Sequence, residues 1–214
     1  MATEGRSLKS QNATWLWSIA ALDAVLLLAF QLYGAPSSLT SGSAIFKELE
    51  LRGVLTAAAP VLVLLLTSIF SSNFKAILVY WRLRDVLPSH RAFTVHAPRD
   101  SRIDMAALRR NVGDLPDTPR EQSSRWYQLY KKAGNDVPVV MAHRHFLLFR
   151  DLAAMSVVLF AAVSATLWFL DRPRTLPAAL LFGAQYVLSA IAARHNGVRM
   201  VTNVLALHSA KKVR

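Results

Sequence analysis

Four stretches of the chain, residues 14–33, 53–71, 152–170 and 176–193, are almost continuously apolar. As helices, about 20 such residues cover the ~30 Å hydrocarbon thickness of a bilayer. Each stretch therefore reads as a membrane span, and the spacing predicts two hairpins. Trp15, Trp17 and Tyr33 stand at the ends of the first span, where amphipathic rings favour the headgroup level. Pro60, inside the second, leaves a carbonyl without its N–H donor and predicts a kink there. The loop at 34–50 is rich in Ser, Gly and Pro, and Asp171-Arg172-Pro173-Arg174 makes a very short turn between the third and fourth spans.

Between the hairpins the pattern changes. Phe74, Ile77, Leu78 and Trp81 keep the i, i+3, i+4, i+7 spacing of a helix, with Lys75, Arg82 and Asp85 off that face. The second span is expected to run on as helix to Pro88. A helix over 102–111 ends at Gly113. Another starts at Thr118-Pro119-Arg120-Glu121, with Thr as cap, Pro at the first helical position and Glu placed for a capping box. It stops at Gly134-Asn135, and helix from Val139 leads into the third span. Past the fourth span, Val198, Val201, Leu205 and His208 share a face, Arg199, Thr202 and Ser209 lie off it, and Gly197 is a candidate hinge. Nothing alternates long enough to predict a sheet. The expected fold is all-α: a polytopic membrane protein with four transmembrane helices as two hairpins and a helical cytosolic insert. Its parts are 1–72 (tail and first hairpin), 73–151 (insert), 152–193 (second hairpin) and 194–214 (basic amphipathic tail).

Charge sets the orientation. Residues 73–151 hold fourteen Lys/Arg against eight Asp/Glu, and the tail from 194 holds five Lys/Arg and no acid. The loops on the other side carry Lys47, Arg172 and Arg174, with Arg52 at a span edge. Basic residues stay on the cytosolic face, so the insert and both termini are expected there, in a multi-pass protein of the inner (plasma) membrane. Composition agrees: 53% of residues are hydrophobic, yet the net charge is +12. Such a combination suits a membrane protein with a cationic cytosolic side, and nucleic acid is the other standard partner of so basic a chain. With no cysteine, disulfides, Cys-based metal sites and thiol nucleophiles are excluded. The first apolar stretch lacks a small-residue cleavage site and reads as a retained span.

Asp23 is the sharpest single signal for chemistry. A carboxylate at mid-bilayer costs at least ~2.5 kcal/mol and needs a partner or water. Gln185 on the fourth span lies at similar depth and is the expected partner. Asp23, Gln185 and Ser164 are accordingly the candidate pore or intramembrane polar residues, to be weighed against simple helix–helix glue. In the insert, basic residues surround aromatic ones. Arg109, Arg110, Arg120, Arg125, Lys131, Lys132 and Arg144, with Trp126 and Tyr130, are the candidate contacts for an anionic ligand or lipid. Such a set can hold phosphates and stack bases, or meet anionic headgroups at ~1 kcal/mol per cation. Trp126 and Tyr130, four apart, equally fit a packing role.

Other sites are not indicated. His143 and His145 are two apart and diverge on a helix, unlike an i, i+4 metal pair. Arg84 and His90 have the spacing of a nuclease-type pair, but Pro88 interrupts the helix it would require. There is no G-x-S-x-G elbow and no phosphate-binding G-x-x-x-x-G-K-[ST] loop. The expectation is a non-enzyme with no cofactor and no metal.

The layout of two membrane hairpins around a compact basic insert is similar to that of small membrane effectors in bacterial anti-phage systems. The resemblance implies an oligomeric channel controlled by a soluble partner or nucleotide signal. Four spans enclose little space, so a conduit needs several copies. The leading expectation is thus a homo-oligomeric channel or pore gated through its basic cytosolic helices. The partners would be the bilayer, further copies of the chain, and a soluble protein, nucleotide or oligonucleotide on the cytosolic side. A non-conducting anchor or scaffold that recruits a soluble partner, and a membrane-embedded lipid-acting enzyme, are the competing expectations.

Overall fold

A computed structural model describes residues 11–33, 58–169 and 176–210. The 34–50 loop, the turn at 171–174, and the charged ends with Arg6, Lys9 and Lys211 lie outside them. Every regular element among the described residues is helical. The long ones are α1 (Ala13–Tyr33), α2 (Ala58–Ile69), α3 (Ser72–Tyr80), α4 (Met105–Val112), α5 (Pro119–Ala133), α6 (Val137–Phe169) and α7 (Leu176–Ala210). Three of them, α1, α6 and α7, are long and apolar enough to cross a membrane, and α2 with α3 makes a fourth if the bent pair is one span. The protein is therefore a helical protein of membrane type.

The second apolar stretch does not run on to Pro88. Its helix breaks at Phe70-Ser71, and α2 and α3 meet at 107°. The cause is local hydrogen bonding. Thr67 and Ser68 donate their hydroxyls back to the carbonyls of Leu64 and Leu65, a competition with the helical ladder that bends helices. Ser71 then caps the next helix, its Oγ accepting from the Phe74 amide at 3.2 Å. Pro60 sits buried within α2, and the sharp bend lies ten residues after it. Helix α3 stops at Tyr80 because Trp81 adopts a left-handed conformation, φ 53°. Beyond it, Pro88–Arg91 is a 3₁₀ turn, Ala92–His96 a π turn and Ala97–Arg99 a final helical turn. Periodicity does not predict these wound segments. They depend on Gln122 of α5, whose buried Oε1 accepts from the Phe93 and Thr94 amides while its Nε2 donates to the Asp117 carbonyl.

Two further details differ from expectation. Thr118 does precede α5, but its hydroxyl donates to the Glu121 carboxylate at 2.7 Å and caps no backbone amide. The strong cap belongs to α4, where Asp104 accepts from the Ala106 and Ala107 amides. Gly197 is no hinge either: α7 runs unbroken through it. A Cβ there would collide with Tyr80 Oη and crowd the Phe146 ring. Glycine is required because a tyrosine docks against the helix backbone.

The described residues divide into two compact units. One holds 76–150 and 190–210. Its core gathers Phe93, Leu108, Trp126, Leu129, Val139, Val201, Val204 and Leu205. Polar residues on α7 are buried there as well. Asn203 donates to the Pro138 carbonyl, and His208 Nε2 lies 3.1 Å from the Leu129 carbonyl. The other unit holds the described residues of 10–75 and 151–189 and contains most of the apolar helices. Its surface carries large exposed side chains, among them Leu22, Val25, Leu62, Leu66 and Trp168. In water these would be a liability, whereas lipid is the solvent that suits them.

Candidate functional site

In the apolar unit, Asp23 is only 2% exposed. Gln185 Nε2 reaches its Oδ2 at 3.4 Å, a long hydrogen bond that joins α1 to α7. Ser164, half-buried on α6, is not part of that contact. A second polar pair in this unit was not legible from periodicity. Lys75 on α3 donates to Asp151 on α6 at 3.0 Å, with both side chains almost fully buried. Its two members are the edges of the polar insert, and only the tertiary fold brings them together.

In the basic unit, the predicted ligand residues do not gather around one cavity. Arg109 and Arg110 are exposed on the last turn of α4, where cations favour the helix dipole. Arg120, Lys131 and Lys132 are exposed on α5, with Lys131 Nζ 4.8 Å from the centre of the Tyr127 ring. Arg144 is half-buried on α6. Arg125 closes the end of α4 by donating to the Val112 carbonyl, and also holds Gln128 at 3.0 Å. Trp126 is 7% exposed, stacks on Tyr130 with centroids 5.3 Å apart, and points its indole N–H at the Val201 carbonyl. Tyr130 Oη lies 2.9 Å from His143 Nδ1. The two rings thus pack α5 against its neighbours. A hollow of about 300 Å³ beside Arg125 includes Asp114 and Glu121 and is no cationic pocket.

The larger cleft of this unit, about 600 Å³ and open to solvent, lies elsewhere. Its walls are His96, Arg99 and Asp100 from the wound segment and Arg194, His195 and Arg199 from α7. The positions on α7 follow from helical spacing, since 195, 198, 199 and 202 fall on one face. The one acid is already committed. Arg102 donates to both oxygens of Asp100, at 2.9 and 2.7 Å. This pairing holds the Asp100 carboxyl well below the usual carboxylate range. The same guanidinium reaches Thr202 Oγ1 and Asn203 Oδ1, which fastens the wound segment to α7. Arg194 stacks over the Trp81 ring, 3.7 Å from its centre, and donates to the Val79 carbonyl. Arg99 and Arg199 are exposed and meet no acid among the described residues.

The cleft carries a positive field. Burial, and after it Arg91, Arg99 and Arg82, push the His96 imidazole down to about 4. His96 Nε2 and, close by, Arg91 Nε are buried and have no hydrogen-bond partner among the described residues. The sequence signal for this site was the acid-free tail, whose arginines looked like topology determinants. Among the described residues no group of three or more His, Asp or Glu side chains comes together to hold a metal.

No protein-family model, no curated protein and no solved structure matches the chain.

Proposed function

We propose that the chain is a multi-pass inner-membrane protein whose apolar helices anchor a basic helical unit on the cytosolic side. There a soluble partner or anionic ligand engages it. The observation that supports an anchor is the burial of Asp23 inside one protomer with Gln185 as its partner. A polar residue paired in this way between α1 and α7 serves helix association, at roughly 1 kcal/mol. Such a pairing satisfies the carboxylate within one chain, without a conduit formed by several copies.

The homo-oligomeric channel gated through the basic helices is the second reading. It is favoured by Gln185, a polar residue of the apolar unit that is only half-buried within one chain. The four-span topology, with the insert and termini cytosolic, is common to both readings and rests on the charge asymmetry of the loops. Oligomeric state in nanodiscs, together with currents from Asp23→Asn in planar bilayers, separates them. The anchor predicts no current in wild type or variant, and an assembly that Asp23→Asn leaves intact. A symmetric ring whose conductance changes in Asp23→Asn would overturn it in favour of the channel.

A further inference from the structure

We propose that the cleft between the wound segment and α7 is a phosphate-binding site, with Arg99 and Arg199 as its anion-gripping forks. The inference concerns residues other than the Arg, Lys and aromatic set on α4 and α5. It stands whether the membrane part is an anchor or a channel.

Three observations carry it. First, the cleft has the volume of a small-ligand site, about 600 Å³, inside the usual range of ~300–1,000 Å³. A nucleoside phosphate or a lipid headgroup fits this space. Second, its charge is one-sided. Arg99, Arg194 and Arg199 line it, while Asp100 is neutralised by Arg102. Planar guanidinium groups match the geometry of a phosphate, to which each can donate two parallel hydrogen bonds. Third, the walls that carry Arg99 and Arg199 are held together before any ligand arrives. Arg194 is fixed by the Trp81 ring and the Val79 carbonyl. Arg102 ties the two walls together through Asp100, Thr202 and Asn203. With the walls and Arg194 already fixed, ligand binding has only the Arg99 and Arg199 side chains left to order.

A solvated basic face would also collect arginines, and what separates the two is saturable, phosphate-dependent binding that needs these arginines. The test uses the full chain in phosphatidylcholine nanodiscs, titrated with ATP and separately with adenosine. Two double variants carry the same change in charge: Arg99→Gln/Arg199→Gln in the cleft, and Arg109→Gln/Arg110→Gln on α4. We expect ATP to bind saturably and adenosine not to bind. The cleft variant should lose about tenfold or more in affinity, the order of one charge-assisted hydrogen bond, while the α4 variant stays near wild type. Both pairs are exposed, and matching helicity by circular dichroism checks the fold. A third variant, Arg99→Lys/Arg199→Lys, keeps the charge and loses the fork, and should fall between.

A second arm repeats the work with phosphatidic acid in the nanodisc. If the lipid competes with ATP in wild type, the headgroup reaches the same cleft and is a candidate occupant. If it does not, the source is a soluble phosphate. Equal ATP affinity in wild type and the cleft variant, with no effect of phosphatidic acid that depends on Arg99 and Arg199, overturns the proposal. So does equal weakening by the α4 pair, which would reveal a diffuse field.

Discussion

The two units differ in the polar groups they leave without partners. In the apolar unit the buried polar side chains find partners at once: Asp23 with Gln185, Lys75 with Asp151, Ser156 with the Leu152 carbonyl, Thr67 with the Leu64 carbonyl. In the basic unit Tyr80 Oη, Arg91 Nε and His96 Nε2 are buried without hydrogen-bond partners among the described residues, and Arg99 and Arg199 meet no acid among them. The difference follows from the solvent each unit suits. Lipid supplies no hydrogen bonds, so an unmatched group there costs several kcal/mol and must be satisfied internally. Next to water, a cationic cleft can keep donors that an incoming anion completes. The basic unit satisfies Gln122, Asn203 and His208 internally as well, and what it leaves open is confined to a few groups.

The contrast is broken most severely at Lys75. Lys75→Met takes the cation away from the buried Asp151 carboxylate, and loss of one partner of such a pair costs ~3–5 kcal/mol. Replacing both, in Lys75→Met/Asp151→Leu, should recover most of that loss. Denaturant titration of the solubilised protein reads both, and a double variant no better than the single would show that the pair is not the reason. In the basic unit the corresponding weak point is packing. Gly197→Ala forces a methyl against Tyr80 Oη and Phe146, an overpacking worth ~1–3 kcal/mol. Adding Tyr80→Phe removes the hydroxyl and should restore part of the thermal midpoint. If it does not, backbone entropy rather than the clash governs the site. The smallest effect is expected at Thr118. Its hydroxyl bonds the exposed Glu121 and no backbone amide, so Thr118→Ala should cost ~0.5 kcal/mol or less, under the ~1 kcal/mol of a true cap. Asp104→Ala, which removes two amide acceptors, should cost more in the same thermal melt.

Where residues are repetitive, sequence and fold agree. The apolar stretches became α1, α2, α6 and α7, and the Pro119 and Gly113 signals marked the ends of α5 and α4. Agreement fails where short-range bonding beats periodicity. Thr67, Ser68 and Ser71 broke a helix that the apolar spacing continued, and Gln122 wound a stretch that Pro88 seemed to end. The amphipathic reading of the tail missed the buried Thr202, Asn203 and Ser209, because polar side chains with partners can enter a core. The Asp23–Gln185 pairing was foreseeable from depth alone. Lys75 with Asp151, and Arg99 with Arg199, were not. Their members lie far apart in the chain, and nothing local marks one for the other.

The discontinuity of the basic unit has a consequence in time. Phe93, Leu108, Trp126 and Val139 belong to the same core as Met200, Val201, Val204 and Leu205. During synthesis the first set is made before about sixty residues, most of two long apolar helices, that precede the second. At ~5–20 residues per second, the half-built core waits roughly 3–12 s for its last wall. Throughout that interval Trp126 and Leu129 have no α7 to cover them, and Arg99 stands without the α7 wall of its cleft. The order of translation therefore makes the end of α7 the keystone that is laid last.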